Sequence, residues 1–196
     1  MRVTLQEIAE IRAGYQSREG LQATPDGTHY IVQAKDVEES YHSLVIDSLD
    51  KIVPTRDPAP YEIKNGDVLF LSRGNKRYAT LVEGLQKNFP SLALYYFFIL
   101  RPKEDIVDPA FLVWLINEAE SQDYLARMVA GTTIPFVTKN TLSLLEFRLP
   151  PLKEQIEIGR LHRLAYRESW LLRQLEHKRS GMARIICRRL YERGNA

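Results

Sequence analysis

The chain has 196 residues, of which 44% are hydrophobic and 27% charged, with a net charge of +2; these are globular values and exclude wholesale disorder. Its single cysteine, Cys187, excludes an intramolecular disulfide framework and fits a reducing cytoplasm. The longest apolar run, Leu92 to Leu100, falls far short of the ~20 residues of a membrane-spanning helix, and Glu7 and Glu10 stand where a signal peptide needs an apolar core, so a soluble cytoplasmic protein is expected.

In chain order, Thr4 opens "TLQEIAEI", a T-x-x-E capping box with Leu5, Ile8 and Ala9 as a short apolar face and Gly14 as the expected stop. "THYIVQAKDV" and "LVIDSLDKIV" read as short strands. Prolines carry "DPAPYEIKNGDVLFLSRG" through a loop punctuated by Asn65-Gly66, and Val68 to Leu71 follows as a buried strand. "RYATLVEG" and "LALYYFFILRP" predict two more strands, the second apolar on both faces and therefore central. A helix follows, capped by Asp108, with Pro109 in first position and Gly131 at its end. Phe111, Leu112, Leu115, Ile116 and Ala119 form its inner stripe. "FVTKNTLSLLEFRLP" adds a short helix or turn and a strand before Pro150-Pro151. Residues 1–150 thus read as an α+β body, mixed α/β with a central β-sheet.

Residues 151–196 form a second unit, a single long helix with a broken heptad. Its apolar a/d sites are Ile158, Leu161, Ala165, Leu172, Leu175, Met182 and Ile186, interrupted by Glu168, Arg179 and Arg189. Gly159 and Gly181 each cost about 1 kcal/mol relative to alanine, and Gly181 suits a bend. From Arg173 onward there are seven basic and two acidic residues, so the rest of the chain is net negative. A helix of this length with an apolar seam calls for a partner helix, the alternative being that it folds back on its own body.

Signals for catalysis are poor. His29, His42, His162 and His177 are scattered without metal-ligand spacing, and neither a Walker-type nor a dinucleotide-binding glycine loop is present. Asp50, Glu62 and Lys64 have the spacing of a metal-dependent nuclease, although E-x-K is a common tripeptide and this one lies in a loop. Residues suited to DNA are easier to find. Ser72, Arg73, Asn75, Lys76 and Arg77 surround Gly74 directly after a buried strand, and these side chains can read base edges or pair with phosphate. "GTTIPFVTKN" offers Thr132, Thr133, Thr138, Lys139 and Asn140, and "VQAKDV" offers Gln33 and Lys35. Each stretch also suits ordinary turn and cap chemistry.

Taken in order, these segments resemble the specificity subunit of type I restriction-modification systems. "VTLQEIAEIRAGY" is similar to its opening L-x-[DE]-[IV]-A segment, "NGDVLFLSRG" to its G-D-[IV]-L strand, "LRPKEDIVDPAFLVWLINEAESQDYL" to its R-P…D-P-x-[FY]-L segment, and "AGTTIPFVTKNTLSLLEFRLPPLKEQIEI" to its closing segment. The resemblance implies one target recognition domain followed by one spacer helix, where the usual subunit carries two of each. It implies recognition without catalysis: no metal or cofactor in this chain, and S-adenosylmethionine held by a partner adenine methyltransferase that modifies double-stranded DNA. A restriction subunit is a further implied partner. With one recognition domain per chain, an antiparallel helix-mediated homodimer and an interrupted palindromic target are expected. A reading without DNA specificity, an interaction adaptor with an oligomerising tail, is the alternative.

Overall fold

A computed structural model of the chain describes residues 2–17, 20–38, 43–44, 49–73, 77–86, 89–129 and 136–194. The body is α+β, as expected. Strand β1 (Arg2–Thr4) runs into a one-turn helix, α1 (Leu5–Ile8), and directly into β2 (Ala9–Ala13). The capping box forms, with the Thr4 amide and hydroxyl both donating to the Glu7 carboxylate at 2.6 and 2.8 Å. These bonds hold the Glu7 carboxyl below its ordinary range, the backbone bond contributing most. Gly14 does not stop a helix. It follows β2 where the backbone passes so close to Leu94 that a β-carbon would lie 2.3 Å from the Leu94 carbonyl oxygen.

Beyond β2 come β3 (His29–Val32), a 3-10 turn (Ala34–Asp36), β4 (Val37–Glu38), β5 (Ser43–Leu44), β6 (Asp50–Ile52), β7 (Glu62–Ile63), β8 (Val68–Leu71) and β9 (Ala79–Leu81). The predicted continuous strand through "LALYYFFILRP" is two strands, β10 (Ser91–Ala93) and β11 (Phe97–Pro102). They belong to different sheets. One has the order β6-β3-β10-β7, the other β2-β11-β8-β9-β5-β4. The chain changes sheets at Leu94–Tyr96, where Tyr15 N donates to Ala93 O at 2.7 Å and Gly14 N to Phe97 O at 3.0 Å. The small residue at position 14 is what lets the two sheets share this corner.

Strands β8 and β11 are buried on both faces, as their unbroken apolar runs predict. Val68, Phe70, Phe98 and Leu100 face a helical layer, while Leu69, Leu71, Phe97 and Ile99 face Val32, Ile63 and Ala93 of the smaller sheet. The start of β8 is pinned to β11 by a two-pronged ion pair between the buried Asp67 carboxylate and the partly exposed Arg101 guanidinium. Arg101 Nε and Nη2 donate to the two Asp67 carboxylate oxygens, each at 2.8 Å, and Asp67 also accepts the Lys64 amide at 2.9 Å. That second bond closes the turn at Gly66, whose φ of +93° explains glycine there.

The helical layer starts with α2 (Pro109–Asn117), capped as predicted: Asp108 Oδ1 accepts the Phe111 amide at 2.8 Å. The predicted single helix breaks at Glu118, whose ψ of 151° is extended, and α3 (Ala119–Met128) follows. Polar side chains stabilise the break. Ser121 Oγ donates to Leu115 O at 2.7 Å and Gln122 Nε2 to Ile116 O at 2.8 Å, satisfying carbonyls that a continuous helix would have used. Ala119, expected in the inner stripe, is consequently exposed. A short α4 (Lys139–Ser143) leads to β12 (Glu146–Arg148), which pairs antiparallel with β1 and ties the two ends of the body together.

After the double proline, α5 (Leu152–Gly194) runs for 43 residues, about 65 Å. It continues as α-helix without interruption through Gly181. Its first turns pack on the body. Gln155 is buried, accepting the Asp108 amide at 3.1 Å and donating to Ile106 O and Pro150 O. Gly159 lies against α2. Ile158, expected at a partner interface, packs half-buried against the core of its own body. The body therefore holds the root of the helix firmly, and the remainder projects.

Candidate nucleic-acid interface

Three separately predicted stretches converge at the end of β8, around the turn at Tyr95–Tyr96. Ser72 N and Oγ both donate to Tyr96 O, at 2.9 and 2.7 Å. Val137 N donates to Ser72 O at 2.9 Å, and Arg73 forms an antiparallel bridge with Phe136. Tyr96 Oη in turn accepts the Ala34 amide at 2.9 Å. One turn thus gathers Ser72 and Arg73, the Phe136–Val137 end of the threonine-rich segment, and the Ala34 end of the turn that follows β3.

Within this cluster the expected residues divide sharply. Arg73 is exposed and contacts two aromatic rings, its guanidinium carbon 5.0 Å from the Tyr95 centroid and 5.1 Å from that of Phe136. Ser72 is 1% exposed; it latches the turn and cannot reach a groove. Gln33 Nε2 and Lys35 Nζ both donate to Asp50 Oδ2, at 2.8 and 2.6 Å. The lysine bond, the largest influence, draws the Asp50 carboxyl below its ordinary range, and the same bond raises Lys35. These two candidates are engaged within the protein. Beside them Asp36 is buried and accepts the Gln33 amide at 2.8 Å, and burial pushes its carboxyl upward.

Thr138 caps α4, its Oγ1 accepting the Thr141 amide at 3.0 Å. Lys139 and Asn140 are exposed in the first turn. Arg77 is half-buried, with its Nε enclosed and without a hydrogen-bond partner among the described residues. Asn75, Lys76, Thr132 and Thr133 lie outside the described residues. Tyr95 and Phe136, each about two-fifths exposed, are the functional candidates that sequence reasoning missed. The usable signal was the pair of tyrosines inside an otherwise aliphatic and phenylalanine run.

The nuclease arrangement does not assemble. Asp50 and Glu62 lie on β6 and β7, the opposite edges of the smaller sheet, roughly 14 Å apart at ~4.8 Å per strand. Glu62 approaches His29, at 3.9 Å. Among the described residues no group of three or more His, Cys, Asp or Glu side chains could hold a metal ion.

On α5, Leu161, Ala165, Leu172, Leu175, Met182 and Ile186 are exposed, joined by Leu164, Leu171, Ile185 and Leu190. At 100° per residue most of these form one stripe, roughly 150° around the helix from the body-facing Gln155, Ile158, Gly159 and His162. The apolar stripe thus faces away from the body.

The family model described as the type I restriction modification DNA specificity domain matches residues 1–165, and the chain belongs to that family. Among curated proteins no relative matches. The fold is similar to that of a chain from a structure concerned with complex assembly and conformational transition of the type I R-M system, at a TM-score of 0.65 and 18% identity, covering 88% of this chain and 44% of the other. It is similar also to the HsdS subunit from Thermoanaerobacter tengcongensis, at 0.63 and 20%, covering 91% and 45%. A third likeness is to the type I restriction-modification S subunit from M. genitalium, at 0.53 and 14%, covering 82% and 37%. The chain therefore spans less than half the length of each of these solved chains. No helix among the described residues is long and apolar enough to cross a membrane.

Proposed function

We propose that this chain recognises a specific DNA sequence as a specificity subunit of a type I restriction-modification system. It pairs through α5 with a second copy and directs an adenine-N6 methyltransferase, and in some assemblies a restriction subunit, to the site. The chain itself selects the target, while the methyltransferase holds S-adenosylmethionine and performs the transfer.

The observation that carries this reading is the outward apolar stripe of α5. A projecting helix with Leu161, Leu172, Leu175, Met182 and Ile186 exposed gains about 1.5–3 kcal/mol per large side chain when covered. An antiparallel copy covers the same residues on both helices at once, because a two-fold interface is self-complementary. Since the root of α5 is held to α2 by Gln155 and Gly159, pairing the helices fixes the distance between two identical recognition surfaces. Such a pair reads one half-site twice, in opposite orientations.

The test is an electrophoretic shift with the cognate methyltransferase present. Retardation should depend on sequence and fall with salt as counterions are released. A complex that ignores DNA sequence contradicts the reading and favours a protein-interaction adaptor.

A further inference from the structure

We infer that Arg73, held against Tyr95 and Phe136, reads a guanine in the major groove and fixes one position of each half-site. This rests on the proposed DNA-recognition function and assigns its specificity to a named contact.

The geometry favours base reading over a phosphate contact. The guanidinium carbon of Arg73 lies over two aromatic rings, 5.0 Å from the Tyr95 centroid and 5.1 Å from that of Phe136. Rings placed over a guanidinium hold its plane by cation–π attraction and leave its N–H donors pointing outward at the edge. Two parallel donors held in one plane match O6 and N7 of guanine. A phosphate contact needs only a cation within reach, and a flexible lysine serves as well.

The backbone is fixed too. Arg73 is bridged to Phe136, and its neighbour Ser72 is tied to Tyr96 by two hydrogen bonds and to Val137 by a third. The side chain is therefore presented from a rigid base, so less freedom is lost on binding. Among the described residues Arg73 forms no ion pair, whereas Lys35 is held by Asp50 at 2.6 Å. Finally, the residues before Arg173 carry net negative charge, so sequence-independent attraction is weak and oriented contacts must supply more of the affinity.

The experiment has two stages. Methylome sequencing of cells carrying the chain and its methyltransferase defines the target. Duplexes with that target, and with every single-base change in one half-site, then compete for the complex made with wild type or Arg73→Ala. The expected result is that wild type discriminates a guanine at one position by roughly 5- to 150-fold. Arg73→Ala should lose that discrimination and keep the ratios at all other positions. Tyr95→Leu, which removes one ring, should reduce discrimination at the same position only. If Arg73→Ala weakens binding to every duplex equally, Arg73 holds a phosphate and the inference is overturned, with the recognition function intact. If wild type has no preferred target, both the inference and the function it rests on are overturned.

Discussion

Gly159 lies so close to Phe111 that a β-carbon on the glycine would sit 2.7 Å from the Phe111 amide nitrogen and 2.6 Å from Asp108 Oδ1. The long helix and the first turn of α2 meet here backbone to backbone. This contact offsets the helix propensity that glycine sacrifices.

The two helical glycines should therefore respond oppositely to the same substitution. Gly159→Ala forces backbone apart and should lower the unfolding midpoint in denaturant, despite the ~1 kcal/mol that alanine gains within a helix. Gly181 has nothing within 4 Å of the added carbon, so Gly181→Ala should raise or preserve the midpoint. Equal shifts of the same sign would contradict the docking geometry.

Asp67 and Arg101 join the start of β8 to β11 through a buried carboxylate. Asp67→Asn keeps the shape but removes the countercharge of a partly exposed guanidinium, at a cost of up to about 3 kcal/mol. For a chain of this size that is a fall of roughly 6–12 °C in the thermal midpoint, measurable by calorimetry. An unchanged midpoint would show that the pair contributes no net stability.

His162 lies on the body side of α5, its ring 4.3 Å from that of Tyr166, in a groove also lined by Arg160, Arg163, Arg167 and Glu83. Burial holds its imidazole below the ordinary range. The unfolded chain then binds the proton more readily than the folded one. Stability is thus retained above about pH 6.5 and lost as pH falls through that value. Thermal melts at pH 7.5 and 5.5 should show a larger loss for wild type than for His162→Gln; identical losses would remove His162 as the cause.

The boundaries of this architecture were legible where local chemistry dictates them. Thr4 with Glu7, Asp108 with Pro109, and the double proline before α5 each act within a few residues, and each behaves as its spacing predicts. The sheet change at Tyr95–Tyr96 was hidden because the flanking residues are buried on either side of it, so the apolar run continues while the strand does not. Tyr95 and Phe136 escaped for a related reason: aromatic side chains read as core, and their exposure depends on a bridge between residues 73 and 136. The Ser72 hydroxyl suits a DNA contact in sequence, and only the folded turn shows it directed at Tyr96 O. Ile158 fits the heptad, yet it precedes the point where α5 leaves the body.

The outward stripe gives a prediction for assembly. Leu172 and Leu175 are exposed and far along the helix from its body contacts. Replacing both with serine should leave the thermal stability of the body unchanged while weakening self-association by roughly 100-fold or more, as read by sedimentation equilibrium. Unaltered association would place the interface elsewhere.

The symmetry of the DNA target tests the central claim most directly. Two copies held by one helix pair must present the same reading surface twice, so methylome sequencing of cells carrying this chain and its methyltransferase should reveal adenine methylation within an interrupted palindrome. A methylated target that is asymmetric, or that lacks a gap between its halves, would contradict the account.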